Sequence, residues 1–161
     1  MSVVVSDASP LINLARADQF ELLAAFYDQI VLPQAVYDEV VVRGQGRDGS
    51  REVKEAAWIE VRVPQDELAV HALTVELGQG EASAIILARE LQATLLLMDE
   101  IRGRRVAQQL GLKVRGTLGI LALARREGRI SNLRQVLDLL RARGTWIDQD
   151  LCEEVLRLVG E

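Results

Sequence analysis

The run Leu95-Leu96-Leu97-Met98 constrains the fold more than any other stretch of this chain. It is apolar without alternation, as a strand buried on both faces must be. Such a strand needs partners on both sides and a helical layer above and below it. Val3-Val4-Val5 and Ile30-Val31-Leu32 repeat the signal in β-branched form, and Lys113-Val114-Arg115 is a last short strand. Ile59-Glu60-Val61-Arg62-Val63 alternates instead, which suits a half-buried edge. Helical segments separate these runs. Ser9-Pro10 reads as an N-cap followed by the first helical position. Further helices are expected over 20–27, 34–43, 51–57, 65–77, 80–91, 100–110, 117–126 (capped by Thr117), 131–143 and from Asp148 onward. Strands alternating with helices imply an α/β fold whose parallel sheet is covered on both faces. The 161 residues suit a single domain over 1–161, and Gly44 to Ser50 reads as a surface loop rather than a linker.

Several kinds of chemistry are excluded early. One Cys forbids an intrachain disulfide, and one His forbids a site that needs two imidazoles. Neither a Walker A sequence nor a Gly-x-Ser-x-Gly elbow is present. Gly78-Gln79-Gly80-Glu81-Ala82-Ser83 partly imitates a dinucleotide fingerprint but follows a helix, not a strand. The opening Met1-Ser2-Val3-Val4-Val5-Ser6-Asp7 lacks a basic start and a long apolar core, and no apolar run approaches the ~18 residues of a membrane span. A soluble, cytoplasmic protein with no membrane partner is expected.

Two of the strands end in an Asp. Val5-Ser6 delivers Asp7, and Leu97-Met98 delivers Asp99. Ligand sites of open parallel sheets lie at those carboxyl ends. Each Asp alone suits a cap or turn, but the repetition favours a shared cation. Glu39 borders an apolar helical stripe with Ala35, Val36 and Val40, where the competing role is a rim residue. Glu81 lies three, four and seven residues before Ala84, Ile85 and Ala88, at the first turn of a core-facing stripe. There the helix dipole alone accounts for an acid. If Asp7, Glu39, Glu81 and Asp99 converge, with Glu100 close by, the site offers only oxygen ligands. Such a set prefers Mg²⁺ or Mn²⁺, which activates water against a phosphodiester without any His.

The net charge of −5 seems at first to disfavour a nucleic acid. It is segregated, however. Residues 1–98 hold seven basic and fifteen acidic side chains, 99–145 hold eleven and four, and 146–161 hold one and five. Arg outnumbers Lys seventeen to two, which suits phosphate. A genomic preference for Arg explains the ratio but not the clustering. Arg102, Arg104 and Arg105 follow the acidic pair and are the candidate nucleic-acid-backbone contacts, against the plainer reading of a solvated helix face. His71 and Cys152 have no catalytic partner in the pattern. Trp58, Trp146 and the final apolar helix suit core or dimer contacts.

In order, these motifs resemble the PIN-domain ribonucleases, which include the VapC-type toxins of toxin–antitoxin systems. Val4 to Ile12 resembles the first acidic motif, Pro33 to Val40 the second, Leu77 to Ile85 the third and Leu97 to Glu100 the fourth. Gly80-Glu81, Asp99-Glu100 with Arg104 and Ala107, and Gly116-Thr117-Leu118-Gly119 resemble a prokaryotic PIN-like subgroup. Glu81 stands where many PIN nucleases carry Asp. The resemblance implies a three-layer α/β/α fold and Mg²⁺- or Mn²⁺-dependent RNA cleavage. It implies Asp7, Glu39, Glu81 and Asp99 as catalytic metal ligands, with Ser9, Glu100 and Thr117 in support. It also implies a homodimer and, for toxin members, an antitoxin protein. Ser9 and Thr117 equally suit helix caps. Two rival functions stay open: a non-catalytic RNA- or protein-binding module, and a phosphatase of small esters. The latter lacks the second Asp expected after Asp7-Ala8 in an aspartyl-phosphate enzyme.

Overall fold

The structure, a computed structural model, describes residues 2–161; Met1 lies outside the described residues. Five parallel strands form one sheet: β1 (Val4–Ser6), β2 (Ile30–Pro33), β3 (Ile59–Arg62), β4 (Leu95–Leu97) and β5 (Val114–Arg115). Their order is β3-β2-β1-β4-β5, so the alternating strand is indeed an edge and β4 is an interior strand. The register pairs Ser6 with Leu97 and Val5 with Val31.

Side-chain alternation along these strands builds two cores. Val4, Ile30, Leu32 and Leu97 face Leu11, Leu14, Leu23, Ile120, Leu121 and Leu137 on one side. Val5, Val31, Leu96 and Met98 face Ile85, Leu87, Ala88 and Ala107 on the other. The first layer comprises α1 (Ala8–Arg16), α2 (Leu22–Tyr27), α8 (Thr117–Arg126), α9 (Leu133–Ala142) and α10 (Gln149–Leu158), with α3 (Gln34–Tyr37) and α4 (Ser50–Glu55) at its margin. The second comprises α5 (Glu67–Leu73), α6 (Gln79–Glu90) and α7 (Ile101–Gln109). This is the three-layer α/β/α arrangement. Among the described residues, no helix is long and apolar enough to cross a membrane.

Three local expectations are corrected. The helix after Pro33 is not continuous: α3 gives way to a π-helical turn, Asp38–Val42. Consecutive β-branched residues, Val40-Val41-Val42, crowd a regular α-helix. Helix α1 starts at Ala8 with Asp7 at its N-cap position, so Ser9 lies inside the first turn. Helix α8 has Gly116 at its N-cap position, which leaves Thr117 free for another role. Trp58 packs on Phe20 with ring centroids 5.3 Å apart, whereas Trp146 is 84% exposed.

Candidate functional site

The strand order changes direction between β1 and β4, and a crevice opens at the carboxyl ends of such a pair. Asp7 directly follows β1 and Asp99 follows β4 by two residues. The Asp7 N–H donates to Leu97 O at 2.9 Å, which holds the two strand ends together. The Asp7 carboxylate makes no capping bond to α1, and the residue is only 3% exposed. Burial pushes its carboxyl up to about 7. The Ala8 backbone N–H works against the rise, and the charges of Glu81, Glu39 and Asp99 add to it.

Glu39 projects from the π-helical turn toward the same place. A Cβ on Gly80 would stand 3.0 Å from Glu39 Oε1 and 3.6 Å from Asp7 Oδ1, so the two carboxylates flank the gap that this glycine leaves. Glu81 is at the third position of α6. Its Oε1 accepts from Gly78 N–H at 3.1 Å, which is half of a capping box because Gly78 has no side chain to return the bond. Its Oε2 is buried without a hydrogen-bond partner, the one such side-chain oxygen among the described residues. Burial raises the Glu81 carboxyl, Gly78 N–H opposes this, Glu100 and Glu39 add to the rise, and Arg102 lowers it. The helix-dipole role weighed for Glu81 is therefore met by one oxygen only.

Asp99 does not cap the helix that follows it. Glu100 holds the α7 N-cap position and accepts from Arg102 N–H at 3.4 Å. Asp99 Oδ1 instead accepts from Thr117 N–H at 2.6 Å, and its Oδ2 accepts from Thr117 Oγ1 at 2.7 Å. The carboxylate thus caps α8 from outside, where Gly116 cannot. A third donor is Asn13 Nδ2, 3.0 Å from Oδ2. Asn13 carried no sequence signal, because it lies 86 residues from Asp99 and is one polar residue in an amphipathic helix.

A family model for the PIN domain matches residues 3–161. The chain belongs to the PIN-domain family. No curated protein matches it. A PIN domain implies a nuclease-type function, nucleic-acid binding and general use of divalent metal. The donor set here fits such an ion: oxygen ligands only, a buried oxygen of Glu81 with no protein partner, and a gap at Gly80 between two carboxylates. As the side chains stand, no three His, Cys, Asp or Glu residues among those described are grouped tightly enough to hold one ion together.

The rest of the PIN domain arranges charge and space around the acids. Arg102 and Arg105 are exposed on α7, and Arg102 Nη1 reaches Glu76 O at 3.4 Å. Arg104 turns back. A Cβ on Gly116 would lie 2.6 Å from Arg104 Nη1 and 2.8 Å from Asp99 Oδ1. A neighbouring cleft of about 330 Å³ is lined by Gln34, Val63, His71, Gln79 and Ser83 among others, and contains none of the four acids. The sole His belongs there, and Cys152 is buried in the core, so neither serves the acidic centre.

Gly103 on α7 is a third close approach: its Cβ would stand 2.6 Å from Met98 Sδ and 3.0 Å from Glu81 Oε2. Gly→Ala inside a helix ordinarily adds about 1 kcal/mol of stability. Here overpacking costs about 1–3 kcal/mol and outweighs that gain. Gly103→Ala is expected to lower the urea midpoint; an unchanged or higher midpoint removes the close approach as the reason for glycine at 103.

Proposed function

We propose that this PIN domain, acting as one unit over residues 1–161 in the cytoplasm, is an endoribonuclease dependent on Mg²⁺ or Mn²⁺. The observation that carries the reading is Asp7. A nearly inaccessible carboxyl that feels the charge of three further carboxylates is a costly arrangement for folding alone. A divalent cation offsets that cost. Asp7, Glu39, Glu81 and Asp99 would hold the ion. When bound, the ion lowers the pKa of water and neutralises charge on the departing oxygen of a phosphodiester.

The chain's own residues divide the remaining work. Asp7 would hold the ion as a carboxylate, the form that a metal ligand requires. Asp99 is fixed by Thr117 and Asn13, which use three of its roughly four acceptor positions. It therefore presents a single oxygen lone pair in a set direction. Arg104 and Asp99 approach the same face of Gly116. Arg105 is exposed on the α7 surface, and Arg102, exposed beside it with Nη1 on Glu76 O, would join it in meeting RNA phosphates. Glu100 adds negative charge next to Glu81, and Ser9 sits in the first turn after Asp7.

The reading extends to a toxin role with an antitoxin partner and to a homodimer. The exposed Trp146, Leu151 and Leu158 near the C-terminus support the homodimer. The test is cleavage of a mixed RNA pool by pure protein. Cleavage that appears with Mn²⁺ and stops with EDTA is expected. Absence of cleavage, with absence of Mn²⁺ binding near neutral pH, supports instead a non-catalytic RNA-binding module. The ungrouped carboxylates are the observation that favours that second reading.

A further inference from the structure

Asn13 does more than donate to Asp99. Its Oδ1 accepts from Thr145 Oγ1 at 3.0 Å, and Thr145 Oγ1 accepts from Arg16 Nη1 at 3.1 Å. Arg16 is anchored in turn through Nε to Asp48 at 2.9 Å. The polarity of this chain of bonds follows from its two ends. A guanidinium can only donate and a carboxylate can only accept. Asp99 accepts from Asn13 Nδ2, so Asn13 Oδ1 faces Thr145 and takes its single hydroxyl proton, while Arg16 donates to a Thr145 lone pair. The Asn13 amide then has one allowed orientation, with Nδ2 toward Asp99. Thr145 lies in the connection between α9 and α10, 132 residues from Asn13 in sequence.

We propose that Thr145 and Asn13 are positioning residues for the metal centre, forming a polarised relay that sets the direction of the Asp99 carboxylate. The inference rests on the metal reading of the site given above. Without the Thr145 hydroxyl, Arg16 loses an acceptor and Asn13 Oδ1 loses its donor. The amide then keeps only its bond to Asp99 and has no second contact that fixes its plane. Thr117 alone remains to fix the direction of the carboxylate. Thr145→Ser keeps both bonds; Thr145→Val is close in size and keeps neither.

The experiment has two arms on the full chain. In the first, Mn²⁺ affinity is measured by electron paramagnetic resonance of the free ion. Thr145→Val is expected to weaken binding about tenfold, the lower end of losses from outer-shell partners. Thr145→Ser is expected to stay within about twofold of wild type. In the second, nitrogen–proton spectra of the metal-free protein follow the Asn13 side-chain amide and the Thr117 backbone amide, which bonds Asp99 directly. Thr145→Val shifts both signals and Thr145→Ser shifts neither. If Thr145→Val leaves the two signals in place, or shifts them and binds Mn²⁺ as wild type does, the relay is refuted. If wild type itself binds no Mn²⁺, the metal reading fails, and the spectra alone decide whether the relay orients Asp99.

Discussion

Asp7→Asn is expected to lower Mn²⁺-dependent RNA cleavage by more than ~100-fold, the upper range for losing a mere outer-shell partner. It is also expected to stabilise the metal-free protein above neutral pH. The two effects have one cause. The Asp7 carboxyl is raised from 3.8 to about 7 in the folded protein, first by burial and then by Glu81, Glu39 and Asp99. Between those pH values the folded state holds a proton that the unfolded chain has released. Stability therefore falls as pH rises from about 4 to about 7, by on the order of 4 kcal/mol in all, and stays low above that. An amide is neutral throughout, so the variant escapes this loss. It pays about 1–3 kcal/mol for a buried amide without matched partners. The net expectation is a gain of about 2 kcal/mol at pH 8 and none at pH 5. Urea unfolding at the two pH values, beside a cleavage assay, reads both effects. A variant that still cleaves, or one less stable than wild type at pH 8, would falsify the assignment of Asp7.

Asp99→Asn, the same exchange of oxygen for nitrogen, is expected to act on stability in the opposite direction. Asp99 accepts one hydrogen bond on Oδ1 and two on Oδ2, and all three partners are donors. An amide has one accepting oxygen. Whichever way it turns, its NH₂ meets either the Thr117 N–H or the paired donors of Thr117 Oγ1 and Asn13 Nδ2. Hydrogen bonds to a charged group contribute about 1.5–3 kcal/mol each, so the loss is on the order of 3 kcal/mol. For a chain of this length that corresponds to a melting point lower by about 6–12 °C. Cleavage is lost as well, because the lone pair offered to the ion is no longer held in place. A thermal melt at pH 7.5 without metal decides the point. Equal or higher melting of Asp99→Asn shows that the Thr117 and Asn13 contacts do not hold the folded state together.

The strand ends are legible because they rest on local patterns, and the positions of the four candidate acids follow from the same patterns. Leu95-Leu96-Leu97 and Val3-Val4-Val5 announce buried parallel strands by composition alone, and Asp7 and Asp99 stand where such strands end. Glu81 was visible as an acid at the start of a core-facing stripe. Glu39 is visible as a border residue, but the π-helical turn that carries it is not, since the crowding of Val40-Val41-Val42 disfavours a regular helix without specifying the bond pattern that replaces it. Thr117 looked like a helix cap because hydroxyls so often are. Its neighbour Gly116 takes that position, and the hydroxyl turns to Asp99 instead. Asn13 and Thr145 left no trace, because their meaning comes from partners 86 and 132 residues away that only the folded chain brings near.

The placement of β1 also bears on how the protein is made. This strand lies in the middle of the sheet, yet its partner β4 is 91 residues further along, at Leu95–Leu97 against Val4–Ser6. Pairings of such separation form late. During synthesis a ribosome must release the chain past Asp99 before the crevice exists, and past Thr145 before Asp99 is aimed. On the proposed function, a growing chain has no assembled acidic centre, and so no means of cutting RNA, before the residues through Asp99 have left the ribosome.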